Sequence, residues 1–408
     1  MYKAAITGVG VTTALGQGKG PFAAGLRAAP NVFRMMTKQG RQAEGTQFIG
    51  AEIDEIKVPD SVSPKLQRSI SWTAKVALAT LGEAWADAAL ERIDPFRVGL
   101  IIGGTNLQQR ETFLMQEKYE NKLHFLRPTY GLMHLDTDLV GLCTQEFNIK
   151  GLAYSVGGAS ASGQLAVIQA AQAVMSNQVD VCIALGGLTD ISFWECQGFR
   201  ALGAMGSDKF ANEPNAACRP FDKDHDGFIF GESCGAVVVE RLEEQKIAKQ
   251  YAQITGWSMA IDGNRNPDPS LDGEMRAIHS ALNQAGWKPA DVGYVNTHGT
   301  ASIVGDETEL AAIKNAGLAG AFLNATKSII GHGISSAGAV EVIATLMQMQ
   351  GDFLHPTRNL ENPIDGDFNW ISGRSITTQI TKALNLSFGF GGINSAICLQ
   401  NMLHEGRI

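Results

Sequence analysis

The chain has 408 residues, beyond the size at which a single hydrophobic core stops growing, which predicts two domains or two packed halves. Hydrophobic residues make up 44% and charged residues 18%, a composition that excludes a disordered or fibrous protein. With 33 basic against 41 acidic residues the net charge is −8, which argues against nucleic-acid binding as the main role.

No apolar run approaches the roughly 18–20 residues of a membrane helix. The opening MYKAAITGVGVTTALG reads as a strand and a glycine turn rather than a signal peptide. Cys143, Cys182, Cys196, Cys218, Cys234 and Cys398 are scattered without a CxxC pair. They read as reduced core residues of a cytoplasmic protein, and zinc is not expected.

In chain order, strands are predicted at Lys3–Val9, Val98–Gly103, Val179–Gly186, Ala236–Glu240, Ala252–Ala260, Val292–Thr297, Ala321–Thr326, Leu384–Phe388 and Ser395–Gln400. Helices are predicted at Leu66–Ala89, Ser162–Ser176, Gly273–Ala285, Asp306–Ala316 and Ala337–Gln350. The alternation is that of a layered α/β protein. Two helices, SASGQLAVIQAAQAVM from Ser160 and SSAGAVEVIATLMQM from Ser335, are apolar on nearly every face and so belong in the middle of the molecule. Each follows a strand-like run and a glycine-bearing turn. One architectural unit used twice is therefore expected, with halves 1–250 and 251–408, each giving a sheet and a central helix.

Two of the eight histidines stand in unusual contexts. His298 lies in NTHGTAS directly after a strand, and His332 in KSIIGHGISSAG at the turn into the second apolar helix. Histidine beside glycine at a strand end suits catalysis; a core histidine bonded to a carbonyl is the competing reading. His124, His134 and His355 have no partner motif and read as structural. Ser160, in GGASASG, sits at a strand–helix elbow facing backbone N–H groups, although on local sequence alone helix capping by Ser160 or Ser162 is the better reading. SFGFGGINS, Ser387 to Ser395, could turn N–H groups toward a developing oxyanion.

Two motifs are set aside. DKDHDG from Asp222 imitates a calcium loop, but Ser233 stands where glutamate is required; GVGVTT from Gly8 has Thr13 in place of the third glycine of a dinucleotide fingerprint.

The ordered set RPFDKDHDGFIFGE, NTHGTASIVGDETE, KSIIGHGISSAGAVE and SFGFGGIN resembles the β-ketoacyl-ACP synthases of the thiolase superfamily, essentially end to end. The resemblance implies a five-layered αβαβα fold of two duplicated halves and a homodimer. It implies catalytic roles for His298, His332 and Lys327, with Phe390 at the oxyanion turn, Glu341 on the buried helix, and Thr300 and Ser302 bonding the phosphopantetheine arm. Lys65, Arg68 and Arg200 match basic positions that meet an acidic acyl carrier protein, with ordinary surface charge as the alternative for each. Condensing members carry a cysteine where this chain has Ser160.

That exchange decides the implied function. Condensation needs a thiolate to capture the acyl chain, and a hydroxyl without a base is a poor substitute. Decarboxylation of the malonyl group needs an oxyanion site and an apolar place for the carboxylate, lined in the family by the residue matching Phe228. Stretches such as RPTYGLMHLDTDLVGLC and ECQGFRALGAMGSD look like the stand-alone malonyl-ACP decarboxylases of polyketide β-branching cassettes, which make acetyl-ACP for an HMG-CoA-synthase-like enzyme and use no cofactor beyond the carrier arm. The alternatives are a weak β-ketoacyl-ACP synthase or acyltransferase using Ser160, and a non-catalytic subunit resembling a chain-length factor.

Overall fold

The computed structural model describes residues 3–242 and 250–402. The first half supplies β1 (Ala4–Thr13), β2 (Val98–Gly103), β3 (Ala153–Val156), β4 (Val181–Gly186) and β5 (Ser233–Arg241). The second supplies β6 (Ala252–Ile261), β7 (Tyr294–Asn296), β8 (Phe322–Asn324), β9 (Asn369–Trp370), β10 (Lys382–Gly389) and β11 (Ile393–Gln400). The hydrogen-bonded order is β9-β8-β7-β10-β11-β6-β1-β5-β4-β2-β3. Read from its own edge, the first half runs β3-β2-β4-β5-β1 and the second β8-β7-β10-β11-β6, the same order with the same parallel and antiparallel senses, β9 being added at the rim. The halves join where Ala4–Ile6 pair antiparallel with Ala252–Ile254. The boundary expected near residue 250 adjoins 243–249, which lie outside the described residues.

The five helices that matter most are α1 (Trp72–Asp87), α2 (Ser162–Met175), α3 (Leu271–Ala285), α4 (Ile303–Asn315) and α5 (Ala337–Gln350). Helices α2 and α5 form the middle layer, and their small, apolar sequences follow from that position. A Cβ on Gly163 of α2 would stand 2.8 Å from the Ala339 nitrogen of α5, and one on Gly338 of α5 would stand 2.7 Å from Gln164 Cβ. Only glycine lets the two helices cross so closely. Helix α1 covers the first sheet from outside, while α3 and α4 cover the second, completing the αβαβα layering.

Helix formation over Leu66–Ala89 is interrupted. Ser63 caps a short turn at Pro64–Gln67, accepting from Leu66 N at 3.2 Å, and Ser71 starts α1 by accepting from Ala74 N at 3.2 Å. Two competing N-caps in one apolar run make two helices. All six cysteines are buried and free.

Candidate active site

Ser160, Phe228, His298, Thr300, His332 and Phe390 line one cavity of about 370 Å³. Three turns bring Ser160, His298, Thr300 and His332 there, each fixed by its own local bonding.

The first is the elbow between β3 and α2. Ala159 adopts φ +48°, a left-handed geometry that costs a side-chain-bearing residue energy and recurs at functional turns. Ser162 Oγ holds the turn, accepting from Gly158 N at 2.9 Å and donating to the Ala159 carbonyl at 2.7 Å. The capping expected of Ser160 or Ser162 therefore falls to Ser162, and within the elbow rather than on α2. The Ser160 hydroxyl faces the cavity instead, with Oγ 2.9 Å from His332 Nε2.

The second turn follows β7. Glu309 of α4 accepts from His298 N at 2.6 Å and Gly299 N at 2.8 Å, and Asp306 accepts from Ala301 N at 3.0 Å. Gly299 has φ +43°, and a Cβ there would meet Ala325 and Phe221 at 2.8 Å. Lys327 Nζ donates to the His298 carbonyl, sits 3.3 Å from His298 Nδ1, and pairs with Glu341 at 2.5 Å in nearly complete burial. An ammonium offers only donors, so His298 Nδ1 is the acceptor and its proton resides on Nε2.

The third turn carries His332, whose backbone is clamped to Ile229 and Gly231. Its Nδ1 accepts the Ile334 N–H at 3.2 Å, so this ring too carries its proton on Nε2. The two imidazoles are perpendicular with centroids 5.7 Å apart. Burial, the Lys327 charge and the neighbouring His332 hold His298 well below the ordinary histidine pKa; burial and Lys327 do the same to His332. Both are neutral donors at neutral pH.

Apolar rings complete the wall: Phe228 meets His332 edge-on at 5.2 Å and Phe388 meets His298 at 5.6 Å. Phe390 stands at the rim, 39% exposed. Thr300 and Ser302 both line the cavity and share a 2.8 Å hydroxyl contact. Lys65 and Arg68 are exposed. Arg200 differs: its guanidinium donates to the Gly206 and Gln47 carbonyls, pairs with Asp208 at 2.7 Å and lies over Phe48, so most of its donors are engaged within the chain.

Glu309, Asp306 and Phe388 were not singled out from sequence. The signal in the sequence is the acidic run GDETE, Gly305 to Glu309, shortly after His298. In DKDHDG, Asp222 accepts the N–H groups of Asp224, Glu361 and Asn362 within 2.9 Å, which braces a loop. Among the described residues no group of three or more His, Cys, Asp or Glu is arranged to hold a metal ion, and no helix is long and apolar enough to cross a membrane.

Residues 2–245 match the family described as Beta-ketoacyl synthase, N-terminal domain, and residues 251–361 its C-terminal domain. The chain belongs to the β-ketoacyl synthase family. It is 54% identical over 399 residues to the polyketide biosynthesis malonyl-ACP decarboxylase PksF of Bacillus subtilis (strain 168), covering 97% of this chain and 96% of that one. It is 30% identical over 423 residues to 3-oxoacyl-[acyl-carrier-protein] synthase 2 of Rhizobium meliloti (strain 1021), covering 98% and 99%. A β-ketoacyl synthase crystal structure from Burkholderia phymatum STM815 superposes with a TM-score of 0.87 at 25% identity, covering 98% and 100%.

Proposed function

We propose that this protein decarboxylates malonyl-ACP to acetyl-ACP in polyketide biosynthesis. The likeness to PksF supports the substrate and reaction; the site geometry supplies a mechanism. On substrate binding the His332 Nε2–H turns from Ser160 Oγ to the malonyl thioester oxygen, which also accepts from His298 Nε2–H. The C2–C3 bond then breaks, CO₂ leaves, and the electron pair passes into the thioester enolate. Each donor stabilises that oxyanion by about 3–4 kcal/mol, on the order of 10²–10³ in rate. The carboxylate lies against Phe228, where poor solvation favours its loss as CO₂. The thioester itself is the electron sink, so no cofactor is required.

The observation that carries this reading is the direction of one hydrogen bond. With His332 Nδ1 already accepting from Ile334, Nε2–H donates to Ser160 Oγ across 2.9 Å. The serine gains a donor and no base, so its hydroxyl stays a weak nucleophile. Chain capture fails while enolate formation survives. The enolate then takes a proton, because no acyl-enzyme is present for it to attack.

In the same reading Thr300 and Ser302 bond the phosphopantetheine arm, and Lys65, Arg68 and Arg200 receive the acidic carrier protein. The working unit is a cytoplasmic homodimer, and its acetyl-ACP feeds an HMG-CoA-synthase-like enzyme of a β-branching cassette. Incubation with malonyl-ACP and mass analysis of the carrier tests the reaction. Loss of CO₂ giving acetyl-ACP, with no β-ketoacyl product, supports it; unchanged malonyl-ACP, or acetoacetyl-ACP as the main product, overturns it.

A further inference from the structure

One wall of the cavity takes no part in these steps. Glu274, in the first turn of α3, is 1% exposed and lines the same cavity as Ser160, His298 and His332. Its Oε2 has no hydrogen-bond partner, an arrangement too costly for an ionised carboxylate to adopt without compensation. The acidic groups that bear on it are Glu309 from α4, whose own pKa burial pushes up to about 8, and Asp262 just after β6. Burial foremost, and then those two acidic neighbours, raise its pKa well above the usual carboxyl value, in the direction of the protonated acid that the unpartnered, buried Oε2 also favours. Its neighbours are committed elsewhere: Glu309 holds the His298 loop, while Asp262 accepts from Asn394 at 2.8 Å and lies 3.8 Å from Arg276. Glu274 thus presents an unengaged acid group to the chamber in which the enolate forms.

A condensing enzyme has no use for such a group, because its enolate carbon attacks an acyl chain. A decarboxylase must place a proton on C2. We propose that Glu274 supplies that proton, through a water in the cavity. The C2–C3 bond breaks and CO₂ leaves; C2 takes a proton from the water, Glu274 returns one to the water, and the resulting carboxylate is reprotonated from solvent at the cavity mouth. The inference rests on the decarboxylase reading, and Glu274 acts through water as a positioning and proton-holding residue.

Glu274→Gln keeps the shape and the neutral charge but removes the acidic proton. Wild type and variant are incubated with malonyl-ACP and ¹³C-bicarbonate, following acetyl-ACP formation and entry of ¹³C into the remaining malonyl-ACP. The expected result is a fall in acetyl-ACP formation on the order of 10²-fold, with label entering malonyl-ACP because the longer-lived enolate recaptures CO₂. Acetyl-ACP formed at the wild-type rate without label overturns the proposal. So does loss of both product and exchange in a variant of unchanged thermal midpoint, which would place Glu274 in bond cleavage instead. Should the variant not fold, wild type acting in D₂O on malonyl-ACP tritiated at one C2 position decides: acetyl of a single handedness supports a fixed donor and racemic acetyl rejects it. Wild type that releases no CO₂ overturns the decarboxylase reading and leaves no enolate for Glu274 to serve.

Discussion

Ser160 Oγ and His332 Nε2 lie 2.9 Å apart, and the proton between them is the histidine's, because its other nitrogen already accepts the Ile334 N–H. A serine held this way is an acceptor in an oxyanion site. The same contact made by a cysteine would have a different outcome, since a thiolate is stabilised by an N–H donor and is a competent nucleophile without a base.

Ser160→Cys is therefore expected to acquire self-acylation. Exposure to acyl-ACP should give a covalent adduct visible by intact mass in the variant and absent in wild type. Ser160→Ala should keep decarboxylation. Loss of CO₂ release in Ser160→Ala would mean that the hydroxyl takes part in the reaction itself.

His298→Ala and His332→Ala each remove one oxyanion donor. Each should lower kcat for CO₂ release on the order of 10²–10³-fold, about 3–4 kcal/mol, with little change in KM for malonyl-ACP. Full activity in His298→Ala would refute the assignment of this ring to the enolate.

Lys327→Met leaves the Glu341 carboxyl buried without its 2.5 Å partner. Breaking a buried pair from one side costs about 3–5 kcal/mol, measurable by urea unfolding. The variant also loses the charge that, after burial, most depresses His298. The acid limb of its pH–rate profile should then move to higher pH than in wild type. In wild type His298 and His332 both have pKa values well below 6.5, so on the proposed mechanism activity should persist below pH 6.5 rather than titrate there.

His355 gives a stability prediction away from the chemistry. It is fully buried, with Nε2 3.0 Å from Thr326 Oγ1, and burial lowers its pKa from 6.5 to about 4. The folded value is the lower one, so its contribution is complete above pH 6.5 and declines as pH falls toward 4. Between pH 6.5 and 5 the loss is about 2 kcal/mol. Unfolding free energies of wild type and His355→Asn should converge by that amount over this interval, and a constant gap contradicts a neutral buried imidazole.

Charge reversal at Lys65 and Arg68 should raise KM for malonyl-ACP with a salt-dependent effect and leave stability unchanged, since both side chains are exposed. Arg200→Glu should instead lower the thermal midpoint, because it breaks bonds to Gly206, Gln47 and Asp208. An equal KM effect at all three with no loss of stability would show that Arg200 is freely presented.

The sequence was most legible where one layer dictates one pattern. The run Val98–Gly103 and helix Ala337–Gln350 have the bounds read from sequence, because burial on nearly all sides leaves them almost wholly apolar, with Glu341 and Gln348 the main polar interruptions of the helix. Helices Gln109–Tyr119 and Thr137–Glu146 went unread. Their faces are mixed and few of their residues are buried, so no clean period marks them. The two-residue edge strand Asn369–Trp370 exists only through its pairing with Phe322 and Leu323, which no local signal encodes. At the site, His298 and His332 were visible from their glycine turns. Glu309 and Glu274 were not, since a buried acid declares itself only once another element has closed over it. Ser160 read locally as a cap because its partner His332 lies 172 positions away.

The intact mass of the enzyme during turnover of malonyl-ACP bears most directly on the claim that the serine elbow forfeits chain capture yet keeps carbon–carbon cleavage. Acetyl-ACP should accumulate while the protein mass stays that of the unmodified chain. A malonyl or acetyl adduct on Ser160 that forms before product, and disappears as product appears, would contradict it.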